Sequence, residues 1–174
     1  IRREKQTREI VTLAENEIAQ IQQTKVPKEL QAAKDWLLIS CYTGQRFSDF
    51  MNFDKQQLQT VDGKICLSFV QQKTKKKVLL PVHPNVLQTL ERNGNVFPGL
   101  LDIQNYNNDI KEIARLADLN VLVKARKRFG FRSKIIEAEK WNFLSSHIGR
   151  RSFASNFYGK IPTPLLMDAT GHST

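Results

Sequence analysis

Residues 27–50 read PKELQAAKDWLLISCYTGQRFSDF, and they join a long apolar stretch to a short charged one. Apolar side chains recur in the first part at helical intervals, at Leu30, Ala33, Leu37, Leu38 and Cys41. This pattern predicts a core-facing helix that begins near Pro27 and ends at Gly44. Arg46 follows that end directly, so its side chain is expected to point out of a helix junction.

Helical patterns also dominate the rest of the chain. Thr12 and Glu15 have the spacing of a capping box, which predicts a helix from about Leu13 to Gln23. Further helices are predicted from Pro84 to Gly94, around 110–117, from His147 to about Phe157 with Ser146 as its cap, and from Thr163 to Gly171.

Two stretches change to strand patterns. From Lys64, side chains alternate with a period of two, and apolar residues 78–80 follow a lysine-rich segment. This predicts a β-hairpin with lysines at its tip. The strand-like segments 121–123 and 131–136 bracket the basic sequence KARKRFG and predict a second basic hairpin. The expected fold class is therefore mixed α+β, predominantly α-helical with a small antiparallel β-sheet or hairpins.

Length and composition exclude several classes of protein. The 174 residues suffice for one domain with a core, and 40% hydrophobic with 25% charged residues is typical of a folded chain. No apolar run approaches the roughly 20 residues that cross a bilayer, and the first residues are charged, so neither membrane insertion nor secretion is expected. Cys41 and Cys66 lack disulfide or metal-ligand spacing, which favours a reducing cytoplasm.

Net charge is the first positive indication of function. The chain has 27 Lys and Arg against 17 Asp and Glu, a formal charge of +10. The excess lies in two clusters, namely Lys73, Lys75, Lys76 and Lys77, and then Lys124, Arg126, Lys127, Arg128, Arg132 and Lys134. A single cluster could serve only to keep a surface soluble. Two clusters interleaved with Phe129 and Phe131 favour a nucleic-acid partner.

Three short motifs hold residues suited to phosphate chemistry. In TGQRFSDF, Arg46 precedes Asp49 by three positions, so the carboxylate could orient a guanidinium that binds phosphate. In SSHIGRRSFA, His147 and Arg150 are three apart at a helix start and share one face, where an anion could bind. In TGHST, His172 follows a helix-ending glycine. Each motif alone fits an ordinary surface pair or a half-buried histidine equally well.

In this order the motifs resemble those of the tyrosine recombinases, which include phage-type integrases and chromosome-dimer resolvases. TGQRFSDF is similar to the family's first arginine box, QQKTKKKVLLP to its lysine turn, SSHIGRRSFA to its HxxR box and TGHST to its late GH box. Gln45 and Thr170 depart from the residues common at those positions. The resemblance covers 1–174 as a catalytic domain, and it implies that family's catalytic-domain fold without its amino-terminal DNA-binding domains.

The resemblance gives each motif residue a role. Arg46 and Arg150 would clamp the scissile phosphate and stabilise the transition state, with Asp49 supporting the arginine box. His147 would assist proton transfer, and His172 would hydrogen-bond the phosphate.

The lysine turn would supply the general acid. Lys73, eight positions before Pro81, matches the family's hairpin lysine and would protonate the leaving 5′-oxygen. Lys75, Lys76 and Lys77 lie in the same turn, so this choice rests on the register. Contacts with the DNA backbone are expected from Lys75, Lys76, Lys77, Lys124, Arg126, Lys127, Arg128, Arg132 and Arg151.

The nucleophile of the family is a tyrosine after the GH box, and the sequence ends two residues after His172. Tyr42, Tyr106 and Tyr158 all precede that box and are expected to be packing or surface aromatics. The resemblance therefore implies a sequence truncated before the nucleophile, which would be inactive alone.

For a longer parent protein, the resemblance implies site-specific DNA recombination or integration, as in mobile-element integrases. A tyrosine would attack a phosphodiester to form a 3′-phosphotyrosyl link, which a 5′-hydroxyl of a partner strand would then resolve. No metal and no cofactor would be needed. Double-stranded DNA is the expected partner, bound by a homotetramer of the parent, whereas the isolated chain could be a monomer.

Other interpretations use the same residues. A type IB topoisomerase or a telomere resolvase shares the nucleophilic chemistry, and a non-catalytic DNA-binding module could keep the fold without cutting. The complete set of motif arginines, lysine and histidines argues against the binding module, because phosphate binding alone does not require it. A metal-dependent nuclease is not favoured, since His83, His147 and His172 come without paired carboxylates at ligand spacing.

Overall fold

The structure is a computed structural model that describes residues 10–171. Its helices are α1 (Glu15–Gln23), α2 (Lys28–Thr43), α3 (Phe47–Phe50), α4 (Pro84–Arg92), α5 (Ile103–Leu116), α6 (Ile148–Phe157) and α7 (Thr163–Thr170). Its strands are β1 (Leu58–Val61), β2 (Lys64–Val70), β3 (Lys77–Pro81), β4 (Leu122–Phe129) and β5 (Arg132–Glu139). Short 3-10 helices lie at Lys55–Gln57 and Lys140–Phe143. The predicted class, mixed α+β and mostly helical, is confirmed.

Helix α2 lies at the centre of the core. Trp36, Leu37 and Ile39 are 0% exposed although they point in different directions around the helix, so other elements enclose it on all sides. Asp35 is buried with them and accepts a hydrogen bond from Arg92 Nη2 at 2.7 Å, which pairs the buried charge. The predicted core-facing helix is confirmed.

Helices α2 and α6 pack closely because glycines remove side chains from their contact. A β-carbon on Gly149 would overlap the side chain of Ser40, and one on Gly44 would overlap the ring of Phe153. Gly44 also has φ +67°, the left-handed conformation that ends α2 as predicted. This contact holds the segment after α2 beside the start of α6.

The first hairpin belongs to a three-stranded antiparallel sheet in the order β1-β2-β3. Leu67 pairs with Leu80, and Phe69 with Val78, so one face of the sheet is apolar and packs on the core. The predicted hairpin with lysines at its tip is confirmed. Strand β1 was not predicted, because its sequence LQTV is short and its ends are only partly buried.

The second hairpin, β4–β5, is longer than predicted. The basic segment KARKRFG was expected between the strands, but residues 124–129 lie within β4 and pair with β5. The turn is at Gly130 and Phe131, where Gly130 has φ +58°. The predicted second hairpin is confirmed, but the strand bounds were wrong because Ala125 is the one buried residue of the two strands, so no hydrophobic alternation marks them.

Two helices, α1 and α6, begin without the side-chain caps predicted for them. Helix α1 begins at Glu15, after Ala14, whose N–H donates to Glu17 Oε1 at 2.9 Å, so the predicted Thr12 cap is wrong. Helix α6 begins at Ile148, and Ser146 does not cap it. Instead the Ser146 N–H donates to Asn107 Oδ1 on α5 at 2.7 Å.

Candidate active site

Arg46 lies at the residue before α3, in extended conformation, with a partly buried side chain. Its Nη1 is buried and has no hydrogen-bond partner among the described residues. A buried charged donor without an acceptor is unfavourable in the free protein. Nη1 would therefore gain from an acceptor that the described residues do not supply.

Asp49 does not pair with Arg46, so that expected contact is wrong. Asp49 is 4% exposed, and its Oδ1 accepts the backbone N–H of Gln72 at 2.8 Å. Its Oδ2 is buried without a partner within the described part of the chain. Asp49 thus connects α3 to the lysine turn, the segment 71–76 between β2 and β3.

Arg150 connects the ends of two helices. Its Nη1 donates to the carbonyl of Gly44 at 3.1 Å, and its Nη2 donates to the carbonyl of Thr170. Burial, and then the charge of Arg46, lower the pKa of Arg150 to about 10, although Asp49 acts in the opposite direction. Arg150 is still protonated at neutral pH, and Arg46 lies close enough for the two charges to repel.

His147 lies one turn before Arg150, at the exposed start of α6. Burial lowers the pKa of His147, and Arg151, Arg150 and Arg46 lower it further. Its imidazole is therefore neutral at pH 7 and can accept a proton. Arg46, His147 and Arg150 come from segments about 100 positions apart and meet where α2 contacts α6.

The lysine turn is a closed loop. The Gln71 N–H donates to the carbonyl of Lys76, and the Lys75 N–H donates to the carbonyl of Gln71, both at 2.9 Å. Lys76 also forms an ion pair of 2.8 Å with Asp168 on α7. Lys73 is exposed at the tip, and within residues 10–171 it has neither a hydrogen bond nor an ion pair.

On the β4–β5 hairpin, positive charges of the second basic cluster lie close enough to repel each other. Lys127 lies directly opposite Lys134, and like charges in such a pair are destabilising. Burial lowers the pKa of Lys111 on α5, and the charge of Lys127 lowers it further. Phe131 at the tip is 103% exposed. These features suit a polyanion that would compensate the charges.

The remaining basic residues of this hairpin are held differently. Lys124 approaches Glu137 at 3.8 Å, Arg126 donates to Ser133 Oγ at 3.0 Å, and Arg128 donates to the Gly130 carbonyl at 2.9 Å. Arg132 at the end of β5 and Arg151 on α6 are exposed.

His172, predicted to contact the phosphate, lies outside the described residues. Among the tyrosines, Tyr106 is fully buried, Tyr42 is half-buried and accepts a hydrogen bond from Asn85, and Tyr158 is 71% exposed. Residues 10–171 contain no group of three or more His, Cys, Asp or Glu side chains placed to hold a metal ion. No helix within this range is long and apolar enough to span a membrane.

Three residues contribute to the site although the sequence analysis did not assign them to it. Lys111 extends the second basic cluster, Gln71 closes the lysine turn, and Gly149 allows α6 to approach α2. A lone lysine, a glutamine or a glycine in the first turn of a helix carries no local signal of such a role.

Solved structures share this arrangement of elements. The XerH site-specific recombinase, in a post-cleavage complex with its difH substrate, matches 94% of this chain at 15% identity with a TM-score of 0.65. The match covers 47% of XerH, so the chain spans about half the length of that recombinase. The lambda integrase catalytic core matches 94% of this chain and 92% of its own length at 18% identity, with a TM-score of 0.58.

A lambda integrase tetramer bound to a Holliday junction also matches, at 18% identity over 94% of this chain and 47% of its own, with a TM-score of 0.59. No protein-family sequence model and no curated protein sequence matches the chain. The structural likeness confirms the fold that the resemblance implies, that of the tyrosine recombinase catalytic domain.

Proposed function

We propose that this chain is the catalytic domain of a site-specific DNA recombinase that breaks and rejoins strands through a 3′-phosphotyrosyl intermediate. The observation that carries the proposal is the buried, unpartnered Nη1 of Arg46 beside Arg150 and the neutral His147. Two guanidinium groups that repel each other in the free protein would both gain from a phosphodiester between them. The fold is shared with solved recombinase structures.

In the proposed cleavage, a tyrosine of the full-length protein attacks the phosphorus of a phosphodiester. A bond forms between the tyrosine oxygen and phosphorus, and the bond from phosphorus to the 5′-oxygen breaks. The neutral imidazole of His147 takes the proton of the attacking hydroxyl. Arg46 and Arg150 stabilise the charge on the non-bridging oxygens of the transition state. Rejoining reverses these steps with a 5′-hydroxyl of the partner strand.

Lys73 is the proposed general acid for the leaving 5′-oxygen. Its ammonium has no partner in the described part of the chain, whereas Lys76 of the same turn is held by Asp168. Loss of a proton from Lys73 to the oxygen balances the bond that breaks. His172 is proposed to hydrogen-bond the same phosphate, and Asp49 supports the site by holding the turn at Gln72.

The proposed substrate is double-stranded DNA, and a mobile element is its proposed source. The lysine-rich β4–β5 hairpin and Arg151 would contact the DNA backbone, contributing affinity rather than sequence recognition. Residues 1–174 would be the catalytic domain of a longer protein that acts in the cytoplasm. The parent would assemble as a tetramer on DNA, as the lambda integrase structure with a Holliday junction does.

A second candidate is a DNA-binding module of the same fold that does not cut. It is favoured by two of the three tyrosines of the described residues, since Tyr106 is fully buried and the hydroxyl of Tyr42 is engaged with Asn85, whereas Tyr158 is 71% exposed. In that case the arginines would bind phosphate without the proton transfers.

Covalent trapping of the full-length protein on nicked DNA separates the two candidates. We expect a protein–DNA adduct at a 3′-phosphate in the presence of a chelator, detected by gel shift under denaturing conditions. Arg150→Lys should reduce the rate of adduct formation roughly 100- to 1,000-fold, because a paired donor fork becomes a single ammonium. Arg115→Lys, on an exposed pair with Glu112, is the matched control and should react as wild type.

Binding measured by fluorescence anisotropy completes the test. Tight DNA binding by wild type without any adduct would support the non-cutting module instead. Cleavage that stops on chelation would contradict the proposed metal-free reaction.

A further inference from the structure

Two buried glutamines, Gln45 and Gln71, lie between the predicted catalytic groups. Both side chains are 0% exposed, and they come from different parts of the chain. Gln45 lies between the end of α2 and Arg46, and Gln71 lies at the end of β2, two positions before Lys73. Buried amides are uncommon because each unpaired polar group is costly in the interior.

The two side chains form one hydrogen-bonded unit, the glutamine relay. Gln71 Nε2 donates to Gln45 Oε1 at 2.9 Å. Gln45 Nε2 donates to the carbonyls of Thr43 at 2.9 Å and Ala169 at 2.6 Å. Gln71 Oε1 accepts the hydroxyl of Thr74 at 2.7 Å. The relay therefore joins the end of α2, the lysine turn and the end of α7.

Gln71 holds the lysine turn through its backbone as well. Its N–H and carbonyl both bond within the turn, to Lys76 and Lys75, at 2.9 Å each. Lys73 lies inside this loop, between Gln71 and Thr74, whose hydroxyl donates to Gln71 Oε1. A displacement of Gln71 would therefore displace the tip that carries Lys73.

The relay also holds the end of α7. Gly171 has φ +66°, and a β-carbon there would overlap Gln71 Oε1, so the chain leaves α7 against this amide. Arg150 donates to the carbonyl of Thr170, one residue earlier. The same short segment is thus fixed by Arg150 on one side and by the glutamines on the other.

An apolar pair could fill this volume, so the amides need a different explanation. Hydrogen bonds are directional, and a fully bonded buried network specifies one arrangement of the elements it joins. A hydrophobic contact at the same place would stabilise packing but tolerate small shifts. Shifts of about 1 Å in catalytic groups are enough to slow a reaction.

We propose that Gln45 and Gln71 are positioning residues that hold the Lys73 turn and the end of α7 in register with Arg46 and Arg150. This inference rests on the proposed function, in which Lys73 protonates the leaving 5′-oxygen. The glutamines touch neither phosphate nor DNA in this scheme and act only through the turn and the helix end.

The test compares leaving groups. In a 5′-bridging phosphorothiolate the bond to phosphorus is through sulfur, which leaves as a thiolate and needs no proton. We expect Gln71→Met in the full-length protein to cleave the normal DNA roughly 10- to 100-fold more slowly than wild type. The same variant should cleave the phosphorothiolate at close to the wild-type rate. Gln88→Met, on the exposed face of α4, is the matched control.

Thr74→Val is the second variant. Thr74 is exposed, so the protein should fold. The change removes the hydroxyl that donates to Gln71 Oε1 at 2.7 Å and that accepts a longer hydrogen bond, 3.4 Å, from the Lys76 N–H. A smaller loss with the same rescue by sulfur is expected. Equal slowing of both substrates by Gln71→Met and Thr74→Val would overturn the positioning of Lys73, and no slowing of either would overturn the positioning role altogether.

Amide hydrogen exchange of residues 1–174 tests the hydrogen bonds of the glutamine relay without a cleavage assay. Gln45→Met and Gln71→Met should each raise the exchange rates of the Lys75 and Gly171 amides about 5- to 10-fold, the effect of losing one buried hydrogen bond. Unchanged exchange at both amides would refute the relay. If wild type cleaves neither substrate, the proposed function fails, and the exchange data still decide whether the glutamines hold the turn and helix together.

Discussion

The two basic hairpins of this protein, β2–β3 and β4–β5, carry similar charge but are held very differently. The tip of β2–β3 is bonded to the body by Asp49, by Gln71 and by the ion pair of Lys76 with Asp168. The β4–β5 hairpin has one buried strand residue, Ala125, and ends in a fully exposed Phe131. A lysine that must meet one oxygen needs the first kind of support, and contact with a DNA backbone tolerates the second.

The contrast extends to the electrostatics. On β2–β3 the charges are separated, since Lys76 has a carboxylate partner and Lys73 at the tip has no ion pair within residues 10–171. On β4–β5 two lysines face each other across the strands, and a third on α5 is close enough to be affected. Basic composition alone therefore does not distinguish the proposed catalytic turn from the proposed backbone-binding hairpin.

The largest expected effect is on cleavage. Lys73→Ala should slow single-turnover cleavage at saturating DNA roughly 100- to 10,000-fold, the usual range for loss of a general acid. Lys134→Ala on the other hairpin should weaken DNA binding and leave the rate at saturating DNA near wild type. The measurement is a quench-flow time course with the full-length protein. Comparable losses in the two variants would remove the distinction between the hairpins.

The second prediction compares how much a side chain in each hairpin contributes to the free energy of unfolding. Phe69→Ala on β2 removes a buried ring that contacts Phe53, and should lower the free energy of unfolding by about 3–5 kcal/mol. Ile135→Ala on β5, where the side chain is 58% exposed, should change it by less than about 0.5 kcal/mol. Urea unfolding of the chain followed by circular dichroism measures both. A large loss for Ile135→Ala would mean that β4–β5 packs as firmly as β2–β3.

A third prediction concerns salt. Replacing both Lys127 and Lys134 by Ala should reduce the slope of log K against log salt by about 2, one unit for each lost phosphate contact. Fluorescence anisotropy over a range of salt concentrations gives the slope. The matched control is Lys25 and Lys28 replaced by Ala, two exposed lysines near the start of α2. An equal change in the control would show that net charge alone matters.

The smallest effect is a titration shift. Burial and Lys127 lower the pKa of Lys111, so Lys127→Ala should raise it, since one repelling charge is removed. Nitrogen-detected NMR of the lysine side chains across alkaline pH measures the shift. Because folding lowers the pKa of Lys111, its protonated form reduces the free energy of unfolding at pH values below the pKa in the folded state. This penalty shrinks as pH rises from that pKa through the unfolded pKa, and it is absent at higher pH, where both states have lost the proton.

Lys124→Ala is the control for that titration, because Lys124 points to the opposite face of β4 and pairs with Glu137. It should leave the pKa of Lys111 unchanged. A pKa shift of similar size in both variants would show that the total charge of the hairpin, rather than Lys127 in particular, lowers the pKa of Lys111.

Much of the fold could be predicted from local patterns. Helix α2, its end at Gly44 and the lysine-tipped hairpin follow from side-chain periodicity and glycine chemistry, which depend on residues only a few positions apart. The predicted caps Thr12 and Ser146 failed, and in both places the nearby backbone is held by a long-range hydrogen bond. Leu13 N–H bonds Ser152 Oγ at 2.8 Å, and Ser146 N–H bonds Asn107 at 2.7 Å, contacts that no local pattern encodes.

The arginine, lysine and histidine motifs, taken in order, resemble those of a known family, and that resemblance predicted the fold that the structure confirms. The phosphate chemistry of the motif residues stays a prediction. The meeting of Arg46 with Arg150 depends instead on how closely α2 and α6 pack, which Gly149 permits against Ser40. The pairing of Gln45 with Gln71 likewise arises only after the sheet and helices have assembled. Such contacts join residues far apart in the sequence. They depend on how side-chain shapes and hydrogen-bond geometries fit together in the folded protein, which local sequence patterns do not specify.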